Sequence, residues 1–258
     1  MSIRRSVLVG GVATLVLAGV ALPTAALPGA AAGGRSAPRQ EAPSPRDPEV
    51  TPDQRLTALV ERIRIESSQR RTMEADFVQT KESALLQETL RSSGVFSYES
   101  PDLARWEYLE PDPVSLVIRG DEMITWFPDL ERAERYQIGR QSQKVLEYLG
   151  ASTSIIALLE YFDVFLHMPE EVADPYRLRL EPRFKRIEKR IKLLEIWVEP
   201  ERYLPVRLRY VEADDDVTEY RFRNFRVNEP IPPERFEIDL PAGVEIEDRQ
   251  IGQGRSGG

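Results

Sequence analysis

The sequence predicts a mainly β protein: a curled sheet or barrel of about ten or eleven antiparallel strands, with one helix before the strands and two more among them. Two observations carry this prediction. Most segments alternate apolar and polar residues, as strands that bury one face do, and turn residues separate these segments at regular intervals. Two segments with helical periodicity interrupt the strands near the middle of the chain.

The first 32 residues have the features of a secretory signal peptide. Arg4 and Arg5 precede an apolar run at residues 7–21, and small residues lead to a cleavage signature at Ala30–Ala32, with an alternative after Ala26. The run is shorter than the roughly 20 residues of a transmembrane helix, so we expect cleavage and export in preference to anchoring. No cysteine follows it, which excludes a lipid-modified N-terminus.

The rest of the chain divides into a linker, one domain and a tail. Residues 33–52 contain five prolines and no aromatic residue, a composition that predicts a disordered linker. The aromatic residues run from Phe77 to Phe236, so one folded domain is predicted at residues 53–248. A flexible, glycine-rich tail is predicted at residues 249–258.

The domain is expected to open on an amphipathic helix that ends near Ser68. Thr51 is suited to the N-cap, Pro52 to the first helical position, and Gln54 completes a capping box. One face of this helix is apolar and must pack against the sheet that follows. That face carries Leu56, Leu59, Val60 and Ile63.

The first strands each place aromatic or small residues on one side. The alternating positions are Ala75, Phe77 and Gln79 in one strand, then Leu90, Ser92, Gly94, Phe96 and Tyr98, then Ala104, Trp106 and Tyr108. Gly120–Asp121 predicts a tight hairpin between strands at 114–119 and 122–127, because such turns need positive φ. Trp106 and Trp126 are expected to face the same apolar side, and a short strand is expected at 135–138.

Two helices are predicted midway. The first spans residues 142–149 and ends at Gly150, a C-cap residue. The second starts after Ser152 or Ser154 and ends at Met168. It is apolar over most of its circumference, at Ile155, Ile156, Leu158, Leu159, Phe162, Phe165 and Leu166. A helix of this kind is buried on more than one side, either as a plain core helix or as a lid.

Strands resume after these helices, at residues 176–180, 191–198, 204–211 and 217–227. A last strand is expected within 230–244, where Phe236, Ile238 and Leu240 alternate. Residues 182–190 form a basic cluster with five arginines and lysines. This cluster is either a solvated hairpin or a surface for an anionic lipid or partner.

Composition excludes several function classes. The formal net charge is −8, which makes the chain a poor candidate for nucleic-acid binding. The chain has no cysteine and a single histidine, His167, so metal sites built on these residues and cysteine nucleophiles are excluded. No G-x-S-x-G motif is present. We therefore expect no enzymatic activity, no cofactor and no metal.

A set of residues spread along the chain occurs in an order that a known family shares: Ala75, Phe77, Gln79, Gly94, Phe96, Pro101, Arg105, Trp106, Pro111, Gly120, Trp126, Pro128, Phe236, Pro241, Gly243 and Val244. With these residues the chain resembles the LolA family of periplasmic outer-membrane lipoprotein carriers. The resemblance covers about residues 53–248 and departs from the family at Ser100, where some members have an arginine, and at Met73 and Ile124, where members often have an aromatic residue.

The resemblance implies an unclosed antiparallel β-barrel, or strongly curved sheet, with an N-terminal helix and a two-helix lid over a hydrophobic cavity. It implies a monomeric periplasmic chaperone that takes lipoprotein acyl chains from an inner-membrane ABC exporter to an outer-membrane receptor. The alternatives are a carrier of another lipid and an envelope-stress sensor of lipoproteins.

The acyl-binding residues are expected to be the inner-face aromatics and the lid residues, with Arg105 at the rim towards a partner. The acyl-binding set is Phe77, Phe96, Tyr98, Trp106, Trp126, Ile155, Ile156, Leu158, Leu159 and Phe162.

Overall fold

The computed structural model describes residues 42–85, 88–138 and 155–249, the side chains of 155–157 excepted. The predicted signal peptide, the helix predicted at 142–149 and residues 250–258 of the predicted tail lie outside these ranges. Three helices are described: α1 Arg55–Ser68, α2 Ile155–Tyr161 and α3 Lys185–Glu188.

Across the described residues, twelve strands form a single sheet. They are β1 Thr72–Ser83, β2 Glu88–Glu99, β3 Leu103–Glu110, β4 Val114–Arg119, β5 Glu122–Phe127, β6 Arg132–Gln137, β7 Phe162–His167, β8 Tyr176–Pro182, β9 Ile191–Val198, β10 Pro205–Glu212, β11 Val217–Val227 and β12 Ile246–Arg249. The order across the sheet is β12-β6-β5-β4-β3-β2-β1-β11-β10-β9-β8-β7. The prediction of a mainly β, unclosed curved sheet with a short N-terminal helix is confirmed.

Neighbouring strands are antiparallel throughout, except that β12 runs parallel to β6. The hairpin at Gly120 forms as predicted, with a φ of 57° at the glycine. The predicted helix start also forms: Thr51 N donates to Gln54 Oε1 at 3.1 Å, and a 3-10 turn at Pro52–Gln54 leads into α1.

The second midway helix was expected to reach Met168, but it ends at Tyr161. Residues Phe162–His167 form strand β7 instead. Phe162 is buried while Asp163 and Phe165 are exposed, which is the alternation of a strand. A continuous apolar run suits a buried helix and a strand equally, so periodicity alone could not separate them.

The strand expected within residues 230–244 is also absent from the described fold. A 3-10 turn at Pro233–Phe236 replaces it, and the strand that joins the sheet is β12. Pro230, Pro232 and Pro233 lack the N–H that a strand must donate, which explains the difference.

Residues 42–50 pack on the domain, so the expectation of a disordered linker up to residue 52 does not hold for them. Pro45 and Val50 are buried. The Arg46 guanidinium donates to the carbonyl oxygens of Pro169 and Glu171, at 3.2 and 2.6 Å. These bonds join the N-terminal segment to the turn between β7 and β8.

A ladder of stacked side chains holds α1 and this N-terminal segment in place. The rings of Tyr176 and Tyr203 stack at 6.3 Å with an interplanar angle of 10°. The Arg46 guanidinium lies over the Tyr176 ring at 5.8 Å, and that of Arg62, on α1, lies over the Tyr203 ring at 5.2 Å. Cation–π contacts of this kind stabilise by about 0.5–2 kcal/mol each, the larger values applying where water is excluded.

One face of the sheet carries the hydrophobic core together with α1 and α2, and we call it the inner face. The core includes residues from strands that are far apart in the sheet, such as Met123 on β5 and Leu178 on β8. Leu59 of α1 is fully buried among them. The opposite side is the outer face.

Gly94 allows β2 and β3 to approach each other on the inner face. A Cβ at this position would lie 2.0 Å from the Glu107 carbonyl oxygen and 2.8 Å from Cζ of Phe77. The first contact is with backbone, which cannot turn away as a side chain can. Only glycine therefore fits between these strands.

We predict that Gly94→Ala destabilises the fold by at least about 3 kcal/mol, because an added Cβ forces β2 and β3 apart. The measurement is the free energy of unfolding in urea. Ser93→Ala, at the neighbouring half-buried position, should change that free energy by less than about 1 kcal/mol. Equal effects of the two substitutions would contradict the assignment.

Candidate functional site

Four of the predicted aromatic residues share the inner face. Strand register aligns Phe96 with Trp106 and Phe77 with Gly94 and Tyr108, and Tyr98 pairs with Ala104. The rings of Phe96 and Trp106 are 4.0 Å apart, and Phe77 meets Tyr108 edge-on at 5.0 Å. Each of these side chains is at most 4 % exposed, and together they form an apolar surface within the core that α1 and α2 also enter.

The predicted lid residues are divided between a helix and a strand. Leu158 on α2 is buried in the core, and Leu159 packs against it while partly exposed. Phe162 is also buried, but it belongs to β7. Ile155 and Ile156 lie on the backbone of α2, and their side chains are outside the described part of the structure. Helix α2 packs on α1 and β7.

Trp126 does not share a face with Trp106. The register pairs Trp106 with Leu116 and Leu116 with Thr125, which puts Thr125 on the inner face. Trp126 pairs with Ser115 and so points to the outer face. In β5, both alternating sets of side chains include large apolar residues, so the sequence could not indicate which set faces inwards.

At one end of the inner face the apolar surface gives way to a buried ionic group, which sequence reasoning missed. Lys81 Nζ lies 3.0 Å from Glu212 Oε1 and 3.5 Å from Asp216 Oδ2. Burial raises the pKa of Glu212, and the adjacent Lys81 ammonium opposes that rise. One indication of this ionic group was present in the sequence: Lys81 follows Gln79 by two residues, so it lies on the same, inward-facing side of β1.

A tyrosine pair continues this polar region. The hydroxyl oxygens of Tyr108 and Tyr220 are 3.3 Å apart, and both side chains are buried. Burial raises the pKa of both hydroxyls, so they remain protonated at physiological pH. The inner face therefore has an apolar part beneath the helices and a polar end with Lys81.

Arg105 was expected at the rim, but it holds the C-terminal segment against the outer face. Its guanidinium donates to the carbonyl oxygens of Arg235 and Glu237 at 3.3 and 2.8 Å, and to Glu107 and Ser115 at 3.0 Å each. These partners include residues about 130 positions away in the chain. Arg105 therefore binds groups of its own domain and not a partner. The sequence could not show this, because the alternation within a strand carries no information about contacts with a distant segment.

Glu107 is the centre of this outer-face cluster. It pairs with both Arg105 and Arg235, and Arg235 also donates to Ser97 Oγ at 3.0 Å. Burial alone would raise the pKa of Glu107, but hydrogen bonds and charges from Arg235 and Arg105 outweigh it and lower that pKa. We call Arg105, Glu107 and Arg235 the arginine clamp.

Comparison with known proteins decides the family. The family model described as "Outer membrane lipoprotein carrier protein LolA" matches residues 68–239. The chain belongs to the LolA family. The match extends from the end of α1 to beyond the 3-10 turn at Pro233–Phe236, so it includes β1 to β11 and the arginine clamp.

Two sequence relatives agree with this assignment. An outer-membrane lipoprotein carrier protein of Alkalilimnicola ehrlichii is 30 % identical over 159 residues, which are 60 % of this chain and 67 % of the relative. One from Pseudomonas putida is 26 % identical over 204 residues, or 75 % and 86 % of the two chains. A crystal structure of an uncharacterised conserved protein from Thermus thermophilus aligns with a TM-score of 0.49 at 13 % identity, covering 75 % of this chain and 99 % of that one.

Within residues 42–85, 88–138 and 155–249, none of the helices is long and apolar enough to cross a membrane. In the same ranges, no group of three or more histidine, aspartate or glutamate side chains is arranged to hold a metal ion.

We predict that Lys81→Met lowers the free energy of unfolding by about 3–5 kcal/mol at neutral pH, because Glu212 then stays buried without its cation. A carboxyl group whose folded-state pKa is raised stabilises the fold at low pH and loses that contribution as pH rises. The deficit should therefore be smaller near pH 5 than at pH 8, as measured by urea unfolding across about this range.

The matched control is Lys192→Met, which removes the ammonium that lies 2.7 Å from Asp215 in an exposed pair. Its cost should be about 0–1 kcal/mol and nearly independent of pH. A pH-independent deficit in Lys81→Met would show that lost packing, and not an uncompensated carboxylate, is responsible.

We predict that Glu107→Gln loosens the segment at residues 230–241, because the amide cannot neutralise the two guanidinium groups. Amide hydrogen exchange should rise there and not in β1. In the unsubstituted protein, a lowered pKa contributes stability that is lost as pH falls through it, so the same segment should loosen below the ordinary value of 4.5. Glu110→Gln, exposed at the end of the same strand, should leave exchange unchanged.

Proposed function

We propose that this LolA-family protein is a periplasmic chaperone that holds the acyl chains of lipoproteins on the inner face of its sheet, beneath α1 and α2. The observation that carries the proposal is the apolar surface formed by Phe77, Phe96, Tyr98 and Trp106, which belongs to the same hydrophobic core as Leu59 of α1 and Leu158 of α2. The predicted signal peptide supports export to the compartment where such cargo travels. The protein is a binding chaperone and not an enzyme.

Release of the cargo is as important as its capture. Burial of one methylene stabilises by about 0.8 kcal/mol, so an acyl chain with about 16 methylenes could contribute on the order of 13 kcal/mol. A carrier that captured all of this could not release its load. Leu158 and Phe162 already occupy the inner face, each at most 3 % exposed, so cargo must displace apolar contacts of the protein.

The net free energy of binding is then a difference between two terms. One is the free energy of burying the cargo against the sheet, and the other is that of burying the covering helix against the same sheet. This makes the affinity modest and allows release without ATP hydrolysis in the carrier. In the described part of the chain, helix α2 covers seven residues. It is held in place by packing on α1 and β7. It is the element that we propose moves.

Two partners follow from this role. An inner-membrane ABC exporter would load the carrier, and an outer-membrane receptor would accept the cargo. The carrier would act as a monomer, with its inner face available to one cargo molecule.

The chain contains three tryptophans, and their positions provide the test. Trp106 lies on the inner face, whereas Trp126 and Trp197 lie on the outer face, where Arg207 stacks on Trp197 at 4.1 Å. We predict that a brominated fatty acyl chain quenches the fluorescence of a variant that retains only Trp106. Variants that retain only Trp126 or only Trp197 should not be quenched, because bromine quenches on contact.

Quenching of the outer-face tryptophans, or of none of the three, would contradict binding on the inner face. The cargo class is tested by mass spectrometry of material that co-purifies from the periplasm. Lipoproteins are the expected result. Free phospholipid or glycolipid without lipoprotein would replace this proposal by transport of another lipid.

A further inference from the structure

The hairpin between β8 and β9 concentrates positive charge on a negatively charged protein. Residues 182–190, which we call the basic tip, contain five basic residues and one acidic residue, while the whole chain has a formal net charge of −8. All five basic residues are exposed. Ile187 on α3 is only 3 % exposed, so it anchors the tip to the domain and leaves the charged side chains outside.

An exposed aromatic ring lies among these charges. Phe184 is 43 % exposed, although large apolar side chains of this chain are mostly buried. The guanidinium of Arg186 lies over its ring at 5.5 Å. An aromatic side chain surrounded by lysines and arginines is typical of segments that lie in the interface of a bilayer with anionic lipids.

The charges of the tip are only partly neutralised within the domain. Arg183 pairs with Asp163 at 2.8 Å. Lys185 and Lys189 have no ion-pair partner in the described part of the chain. The acidic turn at 214–216 lies beside the tip, since Ala213 N donates to the Arg190 carbonyl oxygen at 3.0 Å.

That turn does not cancel the two lysines, because none of its three carboxylates pairs with either of them in the described part of the chain. Asp215 pairs with Lys192 at 2.7 Å, and Asp216 lies 3.5 Å from Lys81. The positive charge of Lys185 and Lys189 is therefore available to a partner outside the molecule.

The basic tip also contacts the end of helix α2. Arg183 N donates to the Tyr161 carbonyl oxygen at 2.9 Å, and the rings of Tyr161 and Phe184 are 6.3 Å apart. Tyr161 is the last residue of α2, and the Asp163 that pairs with Arg183 is on β7 directly after it. A surface that binds the tip thus comes to lie beside the helix that covers the inner face.

We propose that the basic tip docks the protein onto a phospholipid bilayer with anionic headgroups, with Phe184 in the interface and Lys185 and Lys189 on the phosphates. Docking would place α2 next to the membrane, where acyl chains enter or leave. This consequence for transfer rests on the proposed function, whereas the docking itself does not.

The test is co-sedimentation of the full protein, purified from the periplasm, with two kinds of vesicle. One contains phosphatidylcholine alone, and the other contains phosphatidylcholine mixed with phosphatidylglycerol. The expected result is binding to the anionic vesicles only, and weaker binding at high salt because surface charges are then screened. Absence of binding to anionic vesicles, as an acidic protein partner would predict, overturns the proposal, and so does equal binding to both kinds.

Substitutions locate the contact. The double variant Lys185→Gln/Lys189→Gln should reduce partitioning onto anionic vesicles by roughly ten- to thirtyfold, since each basic residue near such a surface contributes to binding. Phe184→Ser should also reduce partitioning but should retain its salt dependence. The matched control is Arg91→Gln/Arg223→Gln, which removes the same charge at exposed positions away from the tip.

Equal losses in the tip variant and in the control would mean that net charge alone governs binding, and would overturn the assignment to the tip. Quenching by brominated acyl chains, in detergent-free solution, and vesicle binding are both measured on the variant that retains only Trp106 and whose basic tip is unsubstituted. Intact quenching without vesicle binding contradicts the docking proposal alone, whereas lost quenching with intact vesicle binding contradicts the proposed cargo site alone.

Discussion

The alternation of side chains across one continuous antiparallel sheet is the constraint on which the rest of the structure depends. Each strand places every second side chain on the inner face. The hydrogen-bonded register then determines which residues of the neighbouring strand share that face. Gly94 lets β2 and β3 come close enough for Phe77 to meet Tyr108 and for Phe96 to meet Trp106. The apolar surface proposed for cargo is thus a product of register, as much as of residue type.

The two faces of the sheet carry different groups. The inner face is mainly apolar and becomes polar towards Lys81 and Glu212, where the Tyr108–Tyr220 pair continues the polar region. On the outer face, the arginine clamp and ion pairs such as Arg209–Glu195 join neighbouring strands to one another and to the C-terminal segment. The movement that we propose therefore belongs to a helix on the inner face, where, among the described residues, such ion pairs do not tie it to the strands.

The features that the sequence could predict are those that depend on neighbours along the chain. The Gly120 hairpin, the capped turn after Thr51 that leads into α1, and the choice of inward-facing residues in β1 to β3 are all local. Other features depend on distant contacts. The outward position of Trp126 is decided by pairing with β4 and β6, and the role of Arg105 by a segment about 130 residues later. The change from helix to strand after Tyr161 is decided by pairing with β8.

The arrangement of Arg46 has a practical consequence for work with the protein. Its guanidinium bonds to the turn between β7 and β8 and its stacking on Tyr176 bring the N-terminal side of the domain to the sheet edge formed by β7. An affinity label joined directly to residue 42 would therefore start on the side of the domain where Arg62 of α1 stacks on Tyr203. A reporter intended to stay clear of α1 belongs towards the other edge of the sheet, on the turn between β5 and β6.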